Sequence, residues 1–149
     1  MFVSRANARF RRLVNEEELC ERLVELGFEI VAFEKFAPAD VADMVGHASV
    51  LVGQKGAGLT NMFYGKDLLV VELHNQVEFT PEWELLSQSL GHRYAGYGCE
   101  PMRGSSRPRW FSYESELLQE YPHRDRDIRV DVEGFVRVLS EQLSNPIDR

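Results

Sequence analysis

Val50-Leu51-Val52-Gly53-Gln54-Lys55-Gly56-Ala57-Gly58-Leu59-Thr60-Asn61 is the stretch whose reading decides the fold. Ala48 to Val52 is a short, uniformly apolar run, the pattern of a strand buried on both faces of a parallel sheet. Gly53 breaks it, and Gly56-Ala57-Gly58 continues a glycine-rich turn. Glycines there allow unusual backbone angles and close approach of a ligand. Leu59 to Tyr64 reads as the helix beyond. N–H groups at the start of such a helix point into the turn, where an anion such as a diphosphate is the natural guest. Lys55 adds a positive charge at the rim. The run is neither G-x-G-x-x-G nor a P-loop, so a plain tight turn is the alternative reading.

The same alternation extends outward on both sides. Phe2-Val3-Ser4 reads as a first strand, which begins almost at residue 1 and suggests a piece of something longer. Asn15 is a candidate N-cap, followed by Glu16, Glu17 and Glu18 in a first helical turn where the dipole favours acids. Leu19, Leu23 and Leu26 follow at helical spacing with Cys20 and Val24 beside them, and Gly27 closes the helix. Residues 28–33 read as a strand, and Pro38 opens a second helix. Leu68 to Leu73 is another buried strand. Pro81 starts a helix that Gly91 ends, and residues 93–97 are a further strand. Residues 99–126 read as an irregular loop with one helical turn near 113–119. Ile128-Arg129-Val130 resumes the order, Asp131 caps a last helix through Leu143, and residues 145–149 read as a tail.

Strand and helix in regular alternation predict an α/β domain, Rossmann-like, with a mainly parallel sheet and helices on both faces. The expected organisation is a single domain over residues 1–149. Ligands in such sheets bind at the carboxyl ends of the strands, which selects the turns after Val3, Val52 and Leu73.

Composition narrows the function classes. The chain is 44% hydrophobic and 28% charged, ordinary for a folded globular protein. A net charge of -7 argues against nucleic acid as a partner. No apolar run approaches the roughly 20 residues of a membrane span, and no signal-peptide pattern opens the chain, so a cytoplasmic location is expected. Cys20 and Cys99 lie far apart, and the four histidines show no ligand spacing, so no metal is expected.

Three signals carry chemistry: the glycine turn, a basic cluster and one acid. Arg5, Arg9, Arg11 and Arg12 lie just after the first strand, at the same sheet edge as the glycine turn. Arginine grips phosphate by a planar, two-pronged contact, although a solvated charged loop is the other reading. Glu72, at the expected end of a buried strand, is placed to accept bonds from ribose or sugar hydroxyls. No complete catalytic set is legible, so the catalytic residues are unassigned.

Phe2-Val3-Ser4-Arg5, Arg11-Arg12-Leu13-Val14-Asn15-Glu16, Gly27 to Val31, Val52 to Asn61 and Val71-Glu72-Leu73 together resemble the glycosyltransferase 61 family. The order and spacing agree over roughly residues 2–97, and Val130-Asp131-Val132-Glu133 fits the family's ending. The family includes capsular-polysaccharide biosynthesis proteins, plant xylan xylosyltransferases and animal O-linked N-acetylglucosaminyltransferases. The resemblance implies one half of a GT-B architecture, the C-terminal half that holds a nucleotide-sugar donor. It implies inverting transfer, no cofactor, no bound metal, and a glycan acceptor held with an N-terminal domain absent here. Arg5, Arg11 and Arg12, with Gly53, Lys55, Gly56, Ala57, Gly58, Leu59, Thr60 and Asn61, would then face the donor diphosphate. Glu72 would face its ribose or sugar.

This sequence departs from the family in one visible place: Lys55 stands where members usually carry histidine. A lysine meets a diphosphate as a point charge but is not a neutral partner at neutral pH. The alternative reading is therefore a non-catalytic or truncated Rossmann-like module that needs a partner half. A half-protein with an exposed cleft face also makes a homodimer possible. An unrelated Rossmann-like enzyme with another phosphorylated ligand is the third reading.

Overall fold

The computed structural model describes residues 1–9, 11–77, 79–102 and 126–144. Six strands form one sheet in the order β2-β1-β3-β4-β5-β6. They are β1 (Phe2–Val3), β2 (Ile30–Val31), β3 (Val50–Gln54), β4 (Leu69–Asn75), β5 (Arg93–Pro101) and β6 (Ile128–Arg129). The first five run parallel, and β6 alone is antiparallel, paired with β5. The α-helices among the described residues are α1 (Glu16–Glu25), α2 (Pro38–Gly46), α3 (Glu82–Ser89) and α4 (Val132–Ser144).

The core is double because strand side chains alternate. Phe2, Val52, Val71 and Leu73 pack with Leu19 and Leu23 of α1 and with Phe135 and Leu139 of α4. Val3, Leu51 and Val70 face the other way, onto Val41 and Val45 of α2 and Leu86 of α3. Helices therefore cover both faces of a mostly parallel sheet, as the alternation predicts. The connection from β1 goes to one face and the connection from β3 to the other, so the chain parts between these neighbours, the place where such sheets hold ligands.

Several local expectations are revised. The strand expected over 28–33 is only Ile30–Val31, followed by a 3₁₀ turn at Phe33–Lys35. The helix expected after the glycine turn is a 3₁₀ segment, Ala57–Tyr64. Its buried side chains, Leu59 and Met62, stand three apart, which matches three residues per turn. Asn61 donates its amide to Gly58 C=O at 3.0 Å, a local bond that competes with α-helical pairing. Strand β5 reaches Pro101, so the irregular region begins later than residue 99. The helical turn expected at 113–119 and the tail at 145–149 lie outside the described residues.

Asn15 takes the N-cap position of α1 but makes no capping bond. Its amide instead bonds both backbone groups of Val130: Nδ2 donates to Val130 C=O at 3.0 Å, and Val130 N–H donates to Oδ1 at 3.1 Å. Next to it Ile128 N–H donates to Arg12 C=O and Val14 N–H to Ile128 C=O, both at 2.9 Å. The Arg12 side chain pairs with Asp127 through Nε and Nη2 at 3.2 and 3.1 Å. Asp131 does cap α4, accepting Gly134 N–H at 3.1 Å.

Two hydrogen bonds to one side chain give Asn15 a measurable weight. Asn15→Ala should lower stability by about 1–3 kcal/mol in urea unfolding. Asn15→Asp, which keeps the acceptor and loses the donor, should fall between the two; an unchanged midpoint in both would deny the clasp.

Candidate functional site

The turn after β3 is built on close contact. Lys55 N–H donates to Leu73 C=O at 2.9 Å, carrying the β3–β4 ladder one residue beyond Gln54. Gly56 then turns with φ +154, a conformation other residues rarely adopt. A β-carbon there would lie 3.2 Å from Arg5 Nη1, so the guanidinium rests against the turn. A β-carbon at Gly58 would lie 3.1 Å from Val3 Cγ1. The two sequence signals, the arginine after β1 and the glycines after β3, are thus neighbours in space.

Arg5 is placed from below by α1. The Glu16 carboxylate accepts Arg5 N–H at 3.1 Å from each oxygen and also accepts the Ser4 hydroxyl. A first-turn acid therefore gathers the loop after β1 rather than lying in solvent.

A cleft of about 490 Å³ opens at this edge. Gln54, Lys55, Gly56, Ala57 and Thr60 line it, together with Leu73 and Asn75 of β4. Arg11, Arg126 and Ile128 line it as well, as do Thr80, Glu82 and Trp83. Among the described residues, three cations thus line the cleft against one carboxylate. Arg11 holds φ at +54, an uncommon angle for a residue with a side chain. Lys55 Nζ is drawn to the α3 side, donating to the Thr80 hydroxyl and pairing with Glu82 Oε2 at 3.6 Å.

The sequence candidates separate on this geometry. Arg11, Lys55, Gly56, Ala57 and Thr60 line the cleft. Arg5 stands behind the turn, and Gly53, Gly58 and Leu59 pack it onto β1. Asn61 is spent on the 3₁₀ segment. Arg12 is engaged with Asp127, and Arg9 is exposed. Gln54, Thr80, Glu82, Trp83 and Arg126 were not singled out by the sequence; they become visible only once the strands are in register.

Glu72 is not a strand end. Strand β4 continues to Asn75, and Glu72 is fully buried on the α3 face. Its Oε2 accepts the Tyr94 hydroxyl at 2.6 Å, while Oε1 has no hydrogen-bond partner among the described residues. Burial pushes the carboxyl up to about 7, against the opposing pull of the Tyr94 hydroxyl and of Lys55. Burial, and then Glu72 itself, raises the Tyr94 phenol in turn.

Among the described residues no three His, Cys, Asp or Glu side chains gather so as to hold a metal ion. No described helix is long and apolar enough to cross a membrane.

Comparison with known proteins adds two findings. Residues 1–71, which include the glycine turn, match the family model described as Glycosyltransferase 61. Over 77 residues the chain is 40% identical to the beta-1,2-xylosyltransferase XAX1 of Oryza sativa subsp. japonica. That alignment covers 49% of this chain and 13% of the rice protein.

Glu72 sets a sign for the pH dependence of stability. Its folded pKa of about 7 lies above the ordinary 4.5. Its contribution is therefore complete below pH 4.5 and is lost as pH rises through 7. Melting curves should show a loss on the order of 3 kcal/mol across that window. Glu72→Gln, which keeps an acceptor for Tyr94, should flatten it; an unchanged slope would remove Glu72 as its source.

Proposed function

We propose, for a chain whose residues 1–71 match the Glycosyltransferase 61 family model, that the cleft beside the glycine turn binds the diphosphate of a nucleotide-sugar donor. The observation that carries this reading is the trio Arg11, Lys55 and Arg126 around a backbone turn at the carboxyl ends of β3 and β4. Cations and a glycine turn at a strand edge are what a dianionic, backbone-hugging ligand needs.

The reaction is inverting, metal-independent sugar transfer in cell-surface, capsular-type polysaccharide synthesis, in the cytoplasm. This chain supplies the donor half of a GT-B pair. An N-terminal domain facing the cleft supplies the glycan acceptor and the base that takes the acceptor hydroxyl proton. The name of the rice relative makes a pentose such as xylose the first donor sugar to try.

One observation favours a second reading, a module that binds donor without turnover. Lys55, at the position where the family usually has histidine, is held by Thr80 and Glu82. Glu72, a carboxyl of raised pKa, is closed off from solvent.

Thermal-shift measurements with uridine and guanosine diphosphates and their sugars test the binding step. A true ligand should stabilise the chain by about 2.7 kcal/mol at a hundred times its dissociation constant. Arg11→Ala and Gly56→Ala should each weaken binding about tenfold or more, by removing a cation and by straining the turn. If no nucleotide shifts the wild-type melting temperature, the donor-site reading fails.

A further inference from the structure

We propose that Gln54 is the specificity-determining residue of the cleft, accepting a hydrogen bond from a neutral hydroxyl or N–H group of the ligand. This rests on the reading of the cleft as a nucleotide-sugar site.

Gln54 ends β3 and lines the cleft, yet only 7% of it is exposed. Its Oε1 is buried and has no hydrogen-bond partner among the described residues. A buried acceptor left unpaired costs about 1–3 kcal/mol, so such an atom at the wall of an open cleft marks a place where a ligand completes the pairing. The alternation along β3 sets the direction. Val52 and Gln54 share the face toward α1 and α4, while Gly53 faces Leu59 and Val3.

The required partner follows from the inventory of donors and acceptors. A diphosphate at neutral pH offers acceptor oxygens only, so it can pair with the Gln54 Nε2 donor but leaves Oε1 unmet. Arg11, Lys55 and Arg126 supply the donors a diphosphate needs, and Lys55 is already shared with Thr80 and Glu82. Neighbouring Asn75 accepts Val77 N–H at 3.0 Å through Oδ1. The cleft is therefore divided: the cations hold the charged part, and Gln54 reads the neutral part. Ribose or sugar hydroxyls and a nucleobase N–H share the required chemistry. A site built around a buried polar atom rejects ligands that leave it unpaired.

Isothermal titration calorimetry on the 149-residue chain tests this with inorganic pyrophosphate, UDP and UDP-xylose. Gln54→Met keeps the length of the side chain and removes the amide. It should weaken a carrier of the donor group about tenfold and change pyrophosphate by no more than about twofold. A loss shared by UDP and UDP-xylose assigns the group to the nucleoside; a loss confined to UDP-xylose assigns it to the sugar. Gln54→Glu keeps an acceptor and adds charge, so it should widen the preference for UDP-xylose over pyrophosphate; it serves as the readout if the Met variant does not fold. Equal weakening of all three ligands, or of none, overturns the role of Gln54 while leaving the donor site standing. A wild-type chain that binds none of them removes the donor site, and this inference with it.

Discussion

The cleft depends on one backbone hydrogen bond, from Lys55 N–H to Leu73 C=O. It holds the β3–β4 register for one residue after the apolar run has ended. That extra step fixes the path of three residues in succession. Gln54 is turned inward, Lys55 crosses toward Thr80, and Gly56 meets Arg5. A ladder that ended at Gly53 would leave all three on a loop, without the rigid support that ligand-holding groups need.

The fold was legible because its signals are local. The all-apolar β3 and β4 runs, the acids opening α1 and the helix stops at Gly27 and Gly91 act over a few residues each. The meeting of Arg5 with Gly56 was legible from topology alone, since parallel neighbours bring their carboxyl-end turns together. What was hidden depends on long separations. Asn15 resembles an N-cap until Val130 is beside it, 115 residues later in the chain. Arg12 belongs to a basic cluster until Asp127 claims it. Gln54 and Glu72 are polar letters at the ends of apolar runs, which usually means solvent. Only the register, with Leu73 beside Gln54 and Gly96 beside Glu72, encloses them. The 3₁₀ segment was missed because Leu59 and Met62 fit three residues per turn as well as 3.6.

The two buried polar groups lie on opposite faces of the sheet beside the same turn, and their surroundings give them different chemistry. Gln54 is neutral at every pH and opens to the cleft. Glu72 is closed off with Tyr94, within the field of Lys55, Glu82 and Glu84. Lys55 connects the two environments: its backbone extends the strand carrying Gln54, and its ammonium opposes the burial that keeps Glu72 protonated. The lysine that departs from the family pattern is thus part of the electrostatics of the sheet as well as of the cleft.

The clasp at Asn15, Arg12 and Leu13 has a consequence for biosynthesis. The segment that completes the first turn and covers α1 is β6 with α4, the last described part of the chain. A ribosome delivers the two partners in that order, separated by more than a hundred residues of synthesis at about 5–20 residues per second. During those seconds Leu19, Leu23 and Phe2 lack the Phe135 and Leu139 side chains that cover them in the finished domain. Until translation reaches α4, that face of α1 and the sheet has no cover from these two side chains.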